Sequence, residues 1–418
     1  MKLLFIHKNL PGQFEHFIHA LAQEPGNELV CICQEFKPQQ YRFKGLRVET
    51  YQGGAHLGGV SSEYLYSSEQ AIANGLAVAA KLTDLKREGF VPDIALAHLG
   101  WGESLYFKDI YPHAPLVGYC EFYYHARGVD ADFDPDFPLG LSDAFRIRTA
   151  NATKLLGLVG IDLGVSPTEW QRSLFPPEFQ RKITVIHDGV DTVRIKPNPN
   201  AAFRLPNGQL LTRQQPVVTY ATRNLEPYRG FPVFMRAVAE IGRRRPDCQF
   251  VIAGGDEVSY SARPPAAGTY REQMLRELGS TIDPKRVHFV GRLPFEEYLK
   301  LLQISSVHVY LTVPFVLSWS LLEAMAAGCV VIGSNTAPVR EFLRHGVNGL
   351  LVDFFSPGEI ADMVDRVLEN PRRDRELGLK ARADMRRRYD VAESIRRYRE
   401  LVDGVLSNHL LFVGDAVL

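Results

Sequence analysis

Two short stretches carry side chains suited to a polyanion. In TRNLEPYRG, Arg223 and Arg229 lie between an apolar run, VVTYA, and a helical pattern starting near Phe231. Two guanidiniums beside a helix N-terminus suit a diphosphate: each fork donates in parallel to phosphate oxygens, and the free N–H groups add positive dipole charge. The competing reading is that both are surface charges, and Gly230, directly after Arg229 at the helix start, weighs against it. In PFVLSWSLLEAMAAGCVVI, residues 314–332, Ser320 and Glu323 have the spacing of a capping box, and Gly328 stops the helix. CVVI then enters a strand with no polar residue, as a strand covered on both faces should. This second helix N-terminus can also hold a phosphate. Glu323, one turn in, could reach both hydroxyls of a ribose. A reading in which it only caps its own helix stays open.

These stretches sit in a repeated β-loop-α-β pattern. KLLFI, ELVCIC, DIALAH and PLVGYC are strands of the first half, and each runs into a loop holding His, Trp, Tyr or Glu. His98, Trp101, Glu103 and Tyr124 are expected to line a cleft on one sheet edge, with Gly12 in the first loop. Cys31 and Cys33 alternate in ELVCIC and so share one face. The pattern restarts with VVTYA, QFVIAGG, RVHFVG, HVYLTV, CVVIG and GLLVD. Between the halves, 196–215 is rich in Pro, Asn and Gln and reads as a linker. The expected organisation is an N-terminal Rossmann-like domain at 1–195, a C-terminal one at 216–390, and a final helix and tail at 391–418 that packs back on the N-terminal domain. The fold class is α/β, doubly wound twice.

Composition narrows the function classes. Of 418 residues, 48 are Lys or Arg and 48 are Asp or Glu, so no net field draws the molecule to nucleic acid. The five cysteines form no CxxC pair and no metal spacing, which fits buried thiols in a reducing cytoplasm. No stretch reads as a signal peptide or a membrane span. The acidic segment 130–138 lacks the Gly and distal Glu of a calcium loop and reads as a surface loop. The basic run 371–399 has interleaved acids at helical spacing and reads as solvated helix faces. The Gly-rich 52–60 reads as loop, 257–269 as an insertion, and the apolar tail as docked.

The sequence resembles a family 4 retaining glycosyltransferase of the GT-B architecture, in which two Rossmann-like domains face each other across a cleft. The resemblance covers nearly the whole chain. It rests on VIHDGVDTVRIKP, TRNLEPYRG, VGRLPFEEYLKLL and, most specifically, LLEAMAAGCVVIGSNTAPVREFLRHGVNGLLVDFFSP. By that resemblance Glu323 would bind the donor ribose. Arg223 and Arg229, the latter at a position usually held by Lys, would hold the diphosphate and neutralise the departing nucleotide. Backbone N–H groups of Ser318, Trp319, Ser320 and Leu322 would add to that site. His125 would stand near the donor sugar, and Gly12 in a loop approaching donor and acceptor. One departure is Phe315, which occupies the place of a first glutamate that usually contacts the transferred sugar.

The resemblance implies transfer of a hexose from an NDP-sugar to an acceptor hydroxyl, with retention and with no metal or resident cofactor. The implied partners are a nucleotide-sugar donor and a glycan, lipid-linked or small-molecule acceptor, not nucleic acid. The implied place is the cytoplasm, with weak peripheral contact at the inner membrane face as a minor option. Two other readings are a non-catalytic GT-B homologue that binds a nucleotide sugar or a partner protein, which Phe315 favours, and a nucleotide-sugar epimerase on the same architecture.

Overall fold

The computed structural model describes residues 1–35, 44–53, 62–264 and 268–414, with side chains described to 407. Most of the Gly-rich loop, the middle of the 257–269 insertion and the side chains of the apolar tail fall outside the described residues. The chain divides into two compact units, Met1–Gly189 with Val391–Leu418, and Val190–Asp390.

The first unit holds seven parallel strands: β1 (Lys2–Ile6), β2 (Glu28–Gln34), β3 (Leu46–Tyr51), β4 (Ile94–His98), β5 (Leu116–Tyr119), β6 (Leu163–Ser166) and β7 (Ile183–Val185). Their order is β3-β2-β1-β4-β5-β6-β7. Strand side chains alternate between two cores. Leu4, Ile6, Val30, Ile32, Ala95 and Ala97 enter one; Leu3, Phe5, Leu29, Cys31, Cys33 and Leu96 enter the other. This is why the strands are apolar throughout, and why Cys31 and Cys33 share a face. The helix Val391–Gly414 belongs to this unit and closes the second core with Tyr398 and Val402. Tyr398 stacks on Phe17 with ring centroids 5.3 Å apart.

The second unit opens with a hairpin where the composition suggested a linker. Strands β8 (Ala202–Arg204) and β9 (Leu210–Thr212) pair antiparallel, with Phe203 opposite Leu211. Phe203, Leu205 and Leu211 are buried with Val217, Val251, Leu301 and Ile304. A few apolar residues around the Asn207-Gly208 turn therefore outweigh a polar composition, because they have an uncovered sheet face to bury against. Six parallel strands follow: β10 (Val217–Asn224), β11 (Gln249–Gly255), β12 (Val287–Gly291), β13 (Val307–Tyr310), β14 (Val331–Ser334) and β15 (Leu350–Val352), in the order β12-β11-β10-β13-β14-β15.

Both sheets reverse direction of growth beside their first parallel strand: between β1 and β4 in one unit, between β10 and β13 in the other. Ligands of doubly wound sheets bind at the carboxyl ends of the strands at such switch points. The loops there carry most of the residues singled out above.

Candidate active site

At the second unit's switch point, Arg229 ties the loop after β10 to the loop after β13. It is 6% exposed. Its Nη1 donates to Thr312 Oγ1 at 2.7 Å, and Nη1 and Nη2 both donate to the Val316 carbonyl at 3.2 Å. These bonds offset the desolvation of the guanidinium. Three of its five N–H donors are so used, which leaves donors for an anion. Gly230 allows this approach: it has φ +70, and a Cβ there would lie 2.5 Å from Leu311 Cβ. It also N-caps the helix Phe231–Arg244. Arg223, at the end of β10, is exposed.

Glu226, absent from the sequence reading, organises the same loop. Its Oε2 accepts from the backbone N–H groups of Ser259, Tyr260 and Ser261 at 3.1, 3.0 and 2.9 Å. The Tyr260 ring so held lies under the Arg229 guanidinium at 5.4 Å. It also packs on Phe315 at 5.0 Å, and Tyr228 packs on Phe315 at 5.4 Å. Phe315 thus sits in an aromatic cluster beside the arginine.

The second helix is capped two residues before the expected position. The N-cap of the helix Trp319–Ala326 is Ser318, whose Oγ accepts from the Ser320 N–H at 3.3 Å and whose own N–H goes to the Tyr310 hydroxyl at 3.0 Å. The Ser320–Glu323 capping box does not form. Arg229 and Tyr310 hold the loop 316–318 in place, so Ser318 is the residue with extended backbone and a hydroxyl in reach. Glu323 then stands at the fifth helical position, too far in to cap. Its carboxyl lies beside the Tyr298 hydroxyl; burial pushes its pKa up and Tyr298 draws it partly back. Gly328, with φ +77, ends the helix as expected. The Leu322 side chain is 1% exposed and packs in the core. Trp319 is 41% exposed.

At the first unit's switch point the chemistry is different. His7, just after β1, accepts the Asn9 N–H on Nδ1 at 2.9 Å, so Nε2 carries the proton and donates to Gln13 Oε1 at 2.6 Å. Gln13 Nε2 donates to Glu121 Oε1 at 2.7 Å. His98, at the end of β4, accepts the Gly100 N–H on Nδ1 at 2.9 Å, which turns its Nε2–H to within 3.4 Å of Glu121 Oε2. Gly12 has φ +58, and a Cβ there would lie 2.3 Å from the His7 ring. Burial, with His98 close by, pushes the His7 pKa down to about 3. At Glu121 burial works upward, but the His98 and His7 rings and the Gln13 amide outweigh it and hold the carboxyl below its ordinary range. His125 donates Nε2–H to the Leu174 carbonyl at 2.7 Å, which leaves Nδ1 as its acceptor. Glu103 is 1% exposed, takes the Tyr51 hydroxyl at 2.7 Å, and has its pKa raised by burial.

The sequence matches the Glycosyl transferase family 4 group over residues 25–195 and the Glycosyl transferases group 1 over residues 207–384. The chain belongs to glycosyltransferase family 4.

This family 4 chain is 30% identical over 206 residues to a D-inositol 3-phosphate glycosyltransferase of Nocardia farcinica, a match covering 48% of the chain and 43% of the relative. It is 28% identical over 225 residues to a GDP-mannose-dependent alpha-(1-6)-phosphatidylinositol monomannoside mannosyltransferase of Mycolicibacterium smegmatis, covering 51% and 55%. The chain spans about half the length of the curated relatives it matches. Among solved structures it resembles Anabaena HepE in complex with UDP and glucose, with 18% identity, TM-score 0.67, and 97% of this chain and 100% of that one covered. It also resembles sucrose-phosphate synthase of Thermosynechococcus elongatus, with 17% identity, TM-score 0.72, and 98% and 100% covered. At such identities the likeness concerns the fold, the GT-B pair of Rossmann-like domains.

In this family 4 chain the structure gathers Arg229, Ser318 and Ser320 around one switch point, with Glu323 one turn into the same helix. Gly12 and His125 belong to the other unit. Among the described residues no group of three or more His, Cys, Asp or Glu could hold a metal ion, and no helix is long and apolar enough to cross a membrane. Glu226, Glu121, His7 and Gln13 were missed. The signal for His7 and Glu121 was position: His7 directly follows β1, and Glu121 stands two residues after β5.

Proposed function

We propose that this chain is an NDP-sugar-dependent hexosyltransferase, metal-independent and retaining, whose second unit takes the donor and whose first unit takes the acceptor. The observation that carries it is Arg229, buried and bonded across a switch point with donors to spare, next to two helix N-termini. In the reaction the sugar–phosphate bond breaks to an oxocarbenium-like sugar and a diphosphate. Arg229 and Arg223, with the first-turn N–H groups, stabilise the departing charge in place of a metal. The acceptor hydroxyl attacks from the face the phosphate leaves, and the phosphate oxygen takes its proton, so configuration is retained. Glu323 holds the ribose hydroxyls. In the first unit His125 keeps Nδ1 as an acceptor, and Gly12 shapes the first loop.

The names of the relatives and structural neighbours support testing UDP and GDP donors first. A thermal-shift panel of UDP, GDP, ADP, CMP, dTDP and their sugar conjugates, on wild type and Glu323→Ala, tests the reading. A shift with one nucleotide, reduced in the variant, is expected. No shift with any nucleotide overturns it in favour of a non-catalytic homologue, the reading that the Phe315 cluster favours. NDP release with acceptor then separates transferase from homologue.

A further inference from the structure

A small cavity in the first unit lies beside the relay described above. It measures about 40 Å³, and His98, Gly100, Trp101, Glu121, Tyr124 and Lys154 are among its walls. That is room for one water-sized group. Three polar groups line it. His98 is 1% exposed, and its Nε2–H has no hydrogen-bond partner although it faces Glu121 Oε2 at 3.4 Å. The Glu121 side chain is 24% exposed, so its free oxygen can be reached from solvent. Lys154 holds its ammonium over the Tyr124 ring at 4.5 Å. A buried N–H donor without a partner beside a carboxylate oxygen is costly unless a visiting group satisfies both.

Charge selects the visitor. A cation at Glu121 would meet the Lys154 ammonium. A phosphate would meet the Glu121 carboxylate. A neutral group that both donates and accepts meets neither objection, and a hydroxyl is such a group.

We propose that Glu121 and His98 form a hydroxyl-binding pair of the acceptor subsite, which takes one hydroxyl of a sugar or other polyol. The hydroxyl donates to Glu121 Oε2 and accepts from His98 Nε2–H. The other atoms of the pair are already fixed. Gln13 holds Glu121 Oε1, the Gly100 N–H sets the His98 tautomer, and Gln171 Nε2 donates to the Glu121 carbonyl at 2.7 Å. His98 is further held by the Trp101 ring, stacked at 4.1 Å. Glu121 is thus a binding residue and Gln13 a positioning residue. The inference rests on the first unit being the acceptor side.

The test is an imidazole-¹⁵N NMR titration of the full chain with methyl α-glucopyranoside and with myo-inositol. A saturable shift of His98 Nε2 with at least one of them is expected, at least tenfold weaker in Glu121→Gln. The UDP or GDP thermal shift of that variant should equal that of wild type, which separates this subsite from the donor reading. Gln13→Leu keeps the carboxylate, serves if Glu121→Gln fails to fold, and should weaken the polyol by about threefold to tenfold. A cavity that holds only water gives no saturable shift with either polyol, and that result overturns the proposal. An unchanged response in Glu121→Gln overturns it as well.

Discussion

The two switch points share a topology and differ in chemistry. In the second unit the loops after β10 and β13 are joined by a buried guanidinium, padded by Tyr228, Tyr260 and Phe315 and flanked by two helix N-termini. In the first unit the loops after β1, β4 and β5 are joined by two imidazoles and an amide around one carboxylate. One arrangement gathers positive charge with aromatic walls; the other arranges hydrogen-bond donors and acceptors. The same α/β scaffold presents strand ends at both places, so the loop residues alone decide whether a site suits an anion or a hydroxyl.

The largest effect that would separate the two sites is Arg229→Ala. A methyl group supplies neither the fork to Thr312 and Val316 nor a charge for the diphosphate, so the nucleotide thermal shift should disappear and transfer should fall by about 100-fold to 1,000-fold. Polyol binding at Glu121 should persist; its loss would break the separation between the sites. Gly12→Ala is the mirror experiment. The new methyl strikes the His7 ring in a backbone conformation that disfavours it, at a cost of about 1–3 kcal/mol. Transfer should fall by roughly tenfold or more, while the nucleotide shift stays. A variant with wild-type transfer would show that the His7–Gln13 arm is dispensable.

Phe315→Glu tests the aromatic wall. A carboxylate in that cluster should lower stability by about 1–3 kcal/mol and change which sugar nucleotides give a thermal shift. An unchanged donor preference would remove Phe315 from the specificity argument. The smallest effect is in acid stability. Burial lowers the pKa of His7 to about 3 and of His187 and His308 to about 4. The unfolded chain binds these protons near pH 6.5 and the folded chain does not, so stability is complete above that pH and declines as pH falls toward 4. The slope is roughly 1.4 kcal/mol per pH unit for each histidine. Calorimetry of His7→Gln and His308→Gln between pH 4 and 7 should give a shallower slope in each. A slope equal to wild type in His7→Gln would mean that this ring is protonated in the fold.

How much was legible varied by element. The apolar runs of β1, β2, β4 and β10 were plain, because a strand covered on both faces must be apolar at every position. The position of Arg229 in the loop after β10 and of Glu323 on a helix was legible from the apolar runs beside them. The capping box was misread because Ser318 and Ser320 are chemically alike, and only the bonds from Arg229 and Tyr310 to the preceding loop select Ser318. The hairpin at 202–212 was read as linker because its three buried residues are outnumbered by polar ones; the uncovered sheet face they pack on is remote in sequence. Glu226 looked like any loop acid until the fold set Ser259, Tyr260 and Ser261 against it.

The sequence by itself determined the alternation of strand and helix, the two α/β halves and the placing of cationic residues after the first strand of the second. Those follow from local periodicity and residue type, which act over a few neighbours. Tertiary structure alone decided which serine caps, which arginine is buried, and that Gln13 and His98 meet Glu121. Those contacts join loops that follow different strands, and a parallel sheet brings such loops together only once its strand order is set.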